Sequence, residues 1–336
     1  MRALVFTRYG SPDVLRLETV PTPEPRPHEV RVAIRAATVS AEDPKLRAFD
    51  HAPLLRLPIA LLYGYPRPRC RILGMEFAGV VDAVGRDVRR FRPGDRVFGY
   101  TGTRLGAHAQ YQCVPERGVL AKTPDAMRDL EAAALPNGAL TALTYLRWAD
   151  VRPGERVLVL GASGAVGTAA VQLAKIFGAD VTGVCSPRNL EFVRGLGADA
   201  VLDYTREDAM ATRDRYDVVF DTVGRYPWPI ARRWLAPRGR LLLTVFGVRD
   251  LLRIAWSRWG RGPRVLGGAS NFAWTAEDLA WLAERVSAGA FVPVVDRVYP
   301  WTEAAQAHAY VETGRKRGNV VLRIDEPDRP VAERPP

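Results

Sequence analysis

Cysteine is scarce in this chain. Its three copies in 336 residues, Cys70, Cys113 and Cys185, are an odd number with no C-x-x-C pair, which excludes a disulfide-stapled module and a cysteine-rich zinc site. A reducing compartment is expected from the same count. The four histidines, His28, His51, His108 and His308, include no two at the spacing of a metal pair. Long apolar runs are missing as well. The longest, Leu57 to Tyr65 and Leu241 to Val248, fall short of the roughly 18 to 20 residues that cross a bilayer, so no transmembrane span is available. The start, MRALVFTRYG, lacks the apolar core and small-residue cleavage pattern of a signal peptide, and the expected location is cytoplasmic.

Lysine is nearly absent too: Lys45, Lys122, Lys175 and Lys316 are the only four, so the net charge of +11 rests on arginine. Such a surface attracts polyanions in principle, but the arginines are scattered as on a solvated surface, and nucleic acid is an unlikely partner. One exception is Arg249 to Arg264, where basic residues mix with Leu251, Leu252, Ile254, Trp256 and Trp259. That stretch is read either as a contact for a membrane or partner subunit, or as packing against its own protein.

What is present is a globular composition, 47% hydrophobic and 25% charged, at a length that predicts two domains. The first third is β-rich. Short Val-rich or alternating runs are expected as strands near residues 2–7, 29–39, 76–84, 95–100 and 108–114, with turn signals at Tyr9-Gly10, at PTPEPRP from Pro21 and at Arg92-Pro93-Gly94-Asp95. From about Pro124 the pattern turns to Ala- and Leu-rich helices. From Val151, strands near 156–160, 180–185, 200–202, 217–221, 240–245 and 264–266 alternate with helices, clearest at 165–177 and 189–196, the signature of βαβ units and a parallel sheet. Two further helices near 275–287 and 302–312 and a strand near 319–324 follow. The closing EPDRPVAERPP is expected to fray.

The most informative segment is RVLVLGASGAVGTAAVQLAKIFGADVTGVCS from Arg156. An apolar strand ends at Gly161, and Gly164 and Gly167 open a helix whose N-terminal N–H groups point back at the turn. Glycine at 164 admits a pyrophosphate to the backbone, and glycine at 167 brings the helix close to the sheet. The loop Gly161, Ala162, Ser163, Gly164, Ala165, Val166 and Gly167 is the candidate phosphate cradle. The ribose-binding carboxylate expected about 20 residues onward is missing. Cys185-Ser186-Pro187-Arg188-Asn189 stands there instead, and its hydroxyl, guanidinium and amide suit a ribose 2′-phosphate. NADPH is therefore the expected cofactor, with Ser186 and Arg188 as its discriminating contacts.

Four stretches, ILGMEFAGVVDAVGRDVRRFRPGDRVFG from Ile72, LPNGALTALTYL from Leu135, GASGAVGTAAVQLAK from Gly161 and YDVVFDTVG from Tyr216, resemble the medium-chain dehydrogenase/reductase superfamily. The resemblance is to its zinc-independent quinone oxidoreductase-like branch and runs from Met1 to about Ile324. It implies an α/β plus β architecture: a Rossmann doubly wound parallel sheet inserted in a GroES-like β-barrel domain, with the active site in the cleft between them. The expected boundaries are 1–123 and 293–326 for the GroES-like catalytic domain, 124–292 for the Rossmann NADP-binding domain, and 327–336 for a disordered tail. The resemblance further implies that Thr141 and the turn Thr222-Val223-Gly224 flank the nicotinamide ribose, that Tyr204 lies by the adenosine end, and that the protein is a homodimer.

Zinc-dependent relatives carry Gly-His-Glu and a ligating cysteine near position 40, whereas this chain has Gly74-Met75-Glu76 and Ser40-Ala41-Glu42-Asp43; no metal is expected. Without a Lewis acid the acceptor must already be electron-poor. Asp43, at the matching place of the family's Asn-x-x-Asp segment with Ser40 for Asn, is read either as a helix start before Pro44 or as a proton-handling group. Tyr100 is a candidate donor to a carbonyl oxygen, with strand-end packing as the rival reading. The apolar segment from Phe49 to Arg69 either lines a hydrophobic acceptor's pocket or lies against its own core. Arg315 and Arg317 are weaker candidates for cofactor phosphates. The leading expectation is an NADPH-dependent oxidoreductase delivering hydride to a quinone or an α,β-unsaturated carbonyl. Two rivals stay open: an NAD(P)-dependent alcohol dehydrogenase or carbonyl reductase, and a non-catalytic, NADPH-regulated RNA-binding protein.

Overall fold

The computed structural model describes residues 1–206, 215–257, 260, 262–268 and 270–324. The expected tail at 327–336 and Trp259 of the basic apolar stretch lie outside the described residues. The chain forms two compact units. The first holds Met1–Pro136, Thr275–Ala283 and the chain from Val295 onward; the second holds Asn137–Trp274 and Glu284–Val294.

Strands β1 (Arg2–Val5), β2 (Arg16–Thr19), β3 (Glu29–Val39), β4 (Glu76–Val84), β5 (Arg96–Tyr100), β6 (Tyr111–Pro115) and β7 (Val119–Lys122) belong to the first unit. β3 is its hub. Val30, Val32 and Ile34 alternate with more exposed residues and are fully buried, the period-2 pattern of a half-buried strand. From Ala36 onward β3 is buried on both faces; along its length it pairs antiparallel with β4, with β6 over Glu29–Ala33, and with the C-terminal strand Asn319–Arg323 over Ala36–Val39. That last strand pairs in parallel with Val295–Pro300, so the end of the chain completes the sheet begun by its start. Gly79 permits the close approach of β4 to β3: a Cβ there would stand 2.0 Å from the Ala33 carbonyl oxygen. Trp301, fully buried, anchors the returning segment in this core, with the Arg2 guanidinium 5.4 Å from its ring centroid.

Between β3 and β4 the chain forms helices α1 (Glu42–Ala48) and α2 (Pro53–Tyr63). The second falls inside the apolar Phe49 to Arg69 segment. Its inner residues Ile59 and Tyr63 meet Phe6, Tyr9, Phe49 and Cys70 in an aromatic cage whose void is about 10 Å³, the space of roughly one water. The core-packing alternative is the one realised on this inner face.

The second unit is a six-stranded parallel sheet of β8 (Arg156–Leu160), β9 (Asp180–Cys185), β10 (Ala200–Asp203), β11 (Tyr216–Asp221), β12 (Leu235–Leu243) and β13 (Arg264–Gly267), in the order β10-β9-β8-β11-β12-β13. Val157 to Leu160 are at most 1% exposed, as required of a parallel strand covered on both faces. Helix α3 (Pro136–Trp148) leads into the sheet, and α4 (Ala165–Ile176) follows β8. The chain moves outward from β8 through β9 to β10 and then returns to the other side of β8 as β11. The carboxyl ends of β8 and β11 therefore flank a topological switch point, where such sheets bind ligands. The hydroxyl of buried Tyr145 on α3 ties the far side of the sheet, 2.8 Å from the Leu243 carbonyl oxygen and 2.9 Å from that of Gly268.

Candidate functional site

The loop after β8 is built by its glycines. Gly161 has φ +79°, and a Cβ there would meet Thr222 Oγ1 at 2.7 Å and Val223 Cγ2 at 2.4 Å. A Cβ at Gly167 would stand 2.1 Å from the Gly161 carbonyl oxygen, so only glycine lets α4 start this close to the strand. At Gly164, which precedes α4, an added Cβ meets nothing nearer than 3.5 Å; hydrogen in that position leaves the backbone open to a ligand. The Gly161 and Ala162 N–H groups both donate to the Val184 carbonyl, which pins the loop to β9. The N–H groups of Ala165, Val166 and Gly167 lie in the first turn of α4, where the helix itself offers no acceptor and its dipole favours an anion.

Asn189 does something other than its sequence position suggested. It is 3% exposed and its Nδ2 donates to Ser163 Oγ at 3.0 Å, while its buried Oδ1 has no partner among the described residues. It braces the loop after β8 from a buried position and so is not placed as a surface ligand for a 2′-phosphate. Arg188 is exposed and Ser186 partly exposed at the end of β9. Tyr204, 43% exposed, follows β10 with its N–H 3.3 Å from the Cys185 carbonyl oxygen, so it stands beside Ser186.

Across the switch point, Asp221 was missed by the sequence reading. Its buried Oδ1 accepts from the N–H groups of Val223 and Gly224, both at 2.8 Å, and so shapes the turn Thr222-Val223-Gly224. Burial raises its carboxyl above the ordinary value, against the pull of these N–H groups. Thr222 Oγ1 donates to the Leu160 carbonyl at 2.7 Å. The structure thus brings Gly161, Thr222 and Val223 into contact. Thr141 lies on α3, one turn beyond Gly138, where a Cβ would come within 2.7 Å of the Ala165 carbonyl oxygen; the start of α3 abuts the start of α4. The signal for Asp221 was its place at the end of an apolar strand, immediately before a T-V-G turn.

In the first unit, Asp43 is fully buried. Its Oδ2 accepts from the Ser40 N–H and Ser40 Oγ, each at 2.7 Å, and its Oδ1 accepts from the Gly74 N–H at 2.9 Å. Asp43 therefore lies in the first turn of α1 and reaches back to the residue before its N-cap, while Ser40 Oγ accepts the Glu42 N–H at 3.3 Å. Tyr100 ends β5, and its hydroxyl lies 3.4 Å from Met75 Sδ. Both sequence candidates thus attach to Gly74-Met75-Glu76, Asp43 at the first residue and Tyr100 at the second.

Three further polar groups escaped the sequence reading. Glu76, 1% exposed, accepts from Thr38 Oγ1 in a short hydrogen bond. Lys316 Nζ donates to the Gly318 carbonyl at 2.6 Å, and burial brings its ammonium down to about 8 against the opposing charges of Glu76 and Asp296. His108 and His308 are fully buried with ring centroids 5.9 Å apart. Nε2 of His108 lies 2.8 Å from the Thr38 carbonyl oxygen, and neither nitrogen of His308 has a hydrogen-bond partner among the described residues. Gly74, at φ +90°, has room for no Cβ beside the His108 ring. Among the described residues no group of three His, Cys, Asp or Glu side chains is placed to hold a metal ion.

A family described as alcohol dehydrogenase GroES-like domain matches residues 26–125, and one described as zinc-binding dehydrogenase matches residues 196–322. The chain is 32% identical to a mitochondrial NAD(P)H oxidoreductase of Mus musculus, over 96% of this chain and 89% of that protein. It is 31% identical to a chloroplastic NADPH-dependent alkenal/one oxidoreductase of Arabidopsis thaliana, over 96% and 79%. Among solved structures, the quinone oxidoreductase from Coxiella burnetii is similar at a TM-score of 0.85 and 29% identity, covering 97% of this chain and 99% of that one.

Proposed function

This chain belongs to the quinone oxidoreductase-like branch of the medium-chain dehydrogenase/reductase superfamily, and from that premise we propose that it is a zinc-independent, NADPH-dependent reductase of quinones or α,β-unsaturated carbonyls. Met75 carries the reading. It stands where zinc-dependent relatives place a ligating imidazole, and its thioether lies against the Tyr100 hydroxyl. With Ser40 at the cysteine position, these donors do not suit zinc, and the acceptor must be electron-poor without electrophilic help.

The cradle fits a dinucleotide: Gly164 leaves its backbone approachable and the first turn of α4 presents N–H groups. The N–H groups of Ala165, Val166 and Gly167 would hold the pyrophosphate. Ser186 and Arg188 would hold the 2′-phosphate, Tyr204 the adenosine end, and Thr141 with Thr222 to Gly224 the nicotinamide ribose. When bound, NADPH supplies the hydride. Asp43 acts by fixing Gly74 and hence Met75, which lies between Gly74 and β4, and Tyr100 is the candidate for orienting an acceptor oxygen. The acceptor is a small, hydrophobic electrophile. The three free thiols support a cytoplasmic protein. A homodimer is supported by the sheet edge at β13 and by the adjoining helix α5 (Val248–Ser257), which exposes Leu251, Leu252 and Trp256.

The test is NADPH oxidation with a quinone, an enone and a plain aldehyde in parallel. Turnover of the quinone or enone with little of the aldehyde is expected, and turnover of the aldehyde alone would overturn the reading.

A further inference from the structure

The outer face of α2 is apolar where its own fold gives no reason for it. Ile59 and Tyr63 point into the aromatic cage, and packing accounts for them. Leu57 and Leu61, one helical turn apart, are each 69% exposed, and Leu62 and Tyr65 continue the row at 51% and 66%. Single exposed leucines are ordinary, but a contiguous row marks an interaction surface.

Charge decides which surface. From His51 to Arg71 the chain has four arginines, Arg56, Arg67, Arg69 and Arg71, and no aspartate or glutamate. All four are exposed. Arg56 donates to the His51 carbonyl at 3.1 Å and Arg69 to the Leu61 carbonyl at 3.4 Å, so among the described residues their charge meets backbone and no carboxylate. By contrast, Arg253 on α5 pairs with Asp250 at 3.0 Å, and Arg128 pairs with Glu131 three residues on. A second copy of this face would bring arginine against arginine, and an RNA would leave the leucines in water. A bilayer of anionic phospholipid satisfies both halves, with the leucines among acyl chains, Tyr65 at the interface and the guanidinium groups against phosphates.

We propose that the exposed face of α2, with Tyr65 and the arginines that follow, docks this protein on an anionic phospholipid surface. The docking does not depend on which acceptor is reduced.

Co-sedimentation of the full chain with vesicles of phosphatidylcholine, alone or mixed with phosphatidylglycerol, tests it. Binding to the mixed vesicles only, weakened by added salt, is expected. Each arginine near an anionic surface contributes about fivefold to partitioning, so replacing Arg56, Arg67 and Arg69 by serine should cut it about a hundredfold. Replacing Leu57, Leu61 and Leu62 by serine should abolish it. A Leu57→Trp variant gives a second readout that leaves the rest of the face intact: its emission should shift to the blue on adding anionic vesicles. Absent binding, equal binding to neutral vesicles, or no blue shift would overturn the proposal. So would a dimer that falls to monomer in the leucine triple variant, since the face would then be a self-contact.

Discussion

At the scale of single residues, cofactor choice is the sharpest test. A charge-assisted hydrogen bond contributes about 1.5–3 kcal/mol, so Ser186→Ala with Arg188→Ala should raise the KM for NADPH at least about tenfold and leave that for NADH nearly unchanged. Steady-state kinetics with both nucleotides checks it, and equal effects would remove the argument for a 2′-phosphate site. His308 offers a second test. Burial, then the charges of His108 and Arg47, hold its imidazole well below the usual 6.5, so the folded protein keeps it neutral where the unfolded chain takes up a proton. The stability it protects is fully present above about pH 6.5 and is lost as pH falls below that value. Thermal melts from pH 8 downward should show Tm falling in this window, and His308→Leu should flatten that part of the curve. Gly161 and Gly167 of the loop after β8 were legible in the sequence because each answers a local steric demand. Asp43 was half legible: its link to a helix start was visible, but its bond to the Gly74 N–H joins residues on different elements. Lys316 was invisible for the same reason, since Glu76 and Asp296 approach it only in the folded chain.

At the scale of elements, the parallel strands were easy to read. Val157 to Leu160 and Val218 to Phe220 are apolar without alternation, as sheets covered on both faces demand. β2 and Val295–Pro300 were missed because they are largely exposed and show no alternation of buried and exposed residues. α2 was not among the expected helices for a different reason. Its sequence PLLRLPIALLY is apolar on every side and holds Pro58 in its interior, so the 3.6-residue period that betrays a helix is absent. The junction of β8 and α4 gives an element-scale prediction: Gly167→Ala puts a methyl group 2.1 Å from the Gly161 carbonyl oxygen, which must push α4 off the sheet. Titration of nucleotide fluorescence should show a loss of NADPH affinity of at least about tenfold, larger than any produced by Gly195→Ala, where a Cβ meets nothing within 4 Å.

At the scale of the whole molecule, the two-part organisation could be read from the change of pattern near Pro124, but the contact boundary lies later, at Pro136. Composition changes where the helices begin, whereas packing keeps the short helix Asp129–Ala133 with the first unit. The hinge of that unit's stability is its returning segment. Trp301→Ala removes a fully buried indole, and such truncations cost about 3–5 kcal/mol; a drop in Tm of many degrees is expected by calorimetry. The order of assembly is also set by this return. β3 lacks one neighbour until Asn319–Arg323 arrives, so during synthesis the N-terminal strands must wait, exposed, for nearly the entire polypeptide to leave the ribosome. The second unit is almost continuous and can close earlier. A nascent chain stalled shortly before residue 319 should therefore resist protease in its nucleotide-binding half and be cut in its N-terminal half, which makes this stretch of translation the moment when the protein most needs a chaperone.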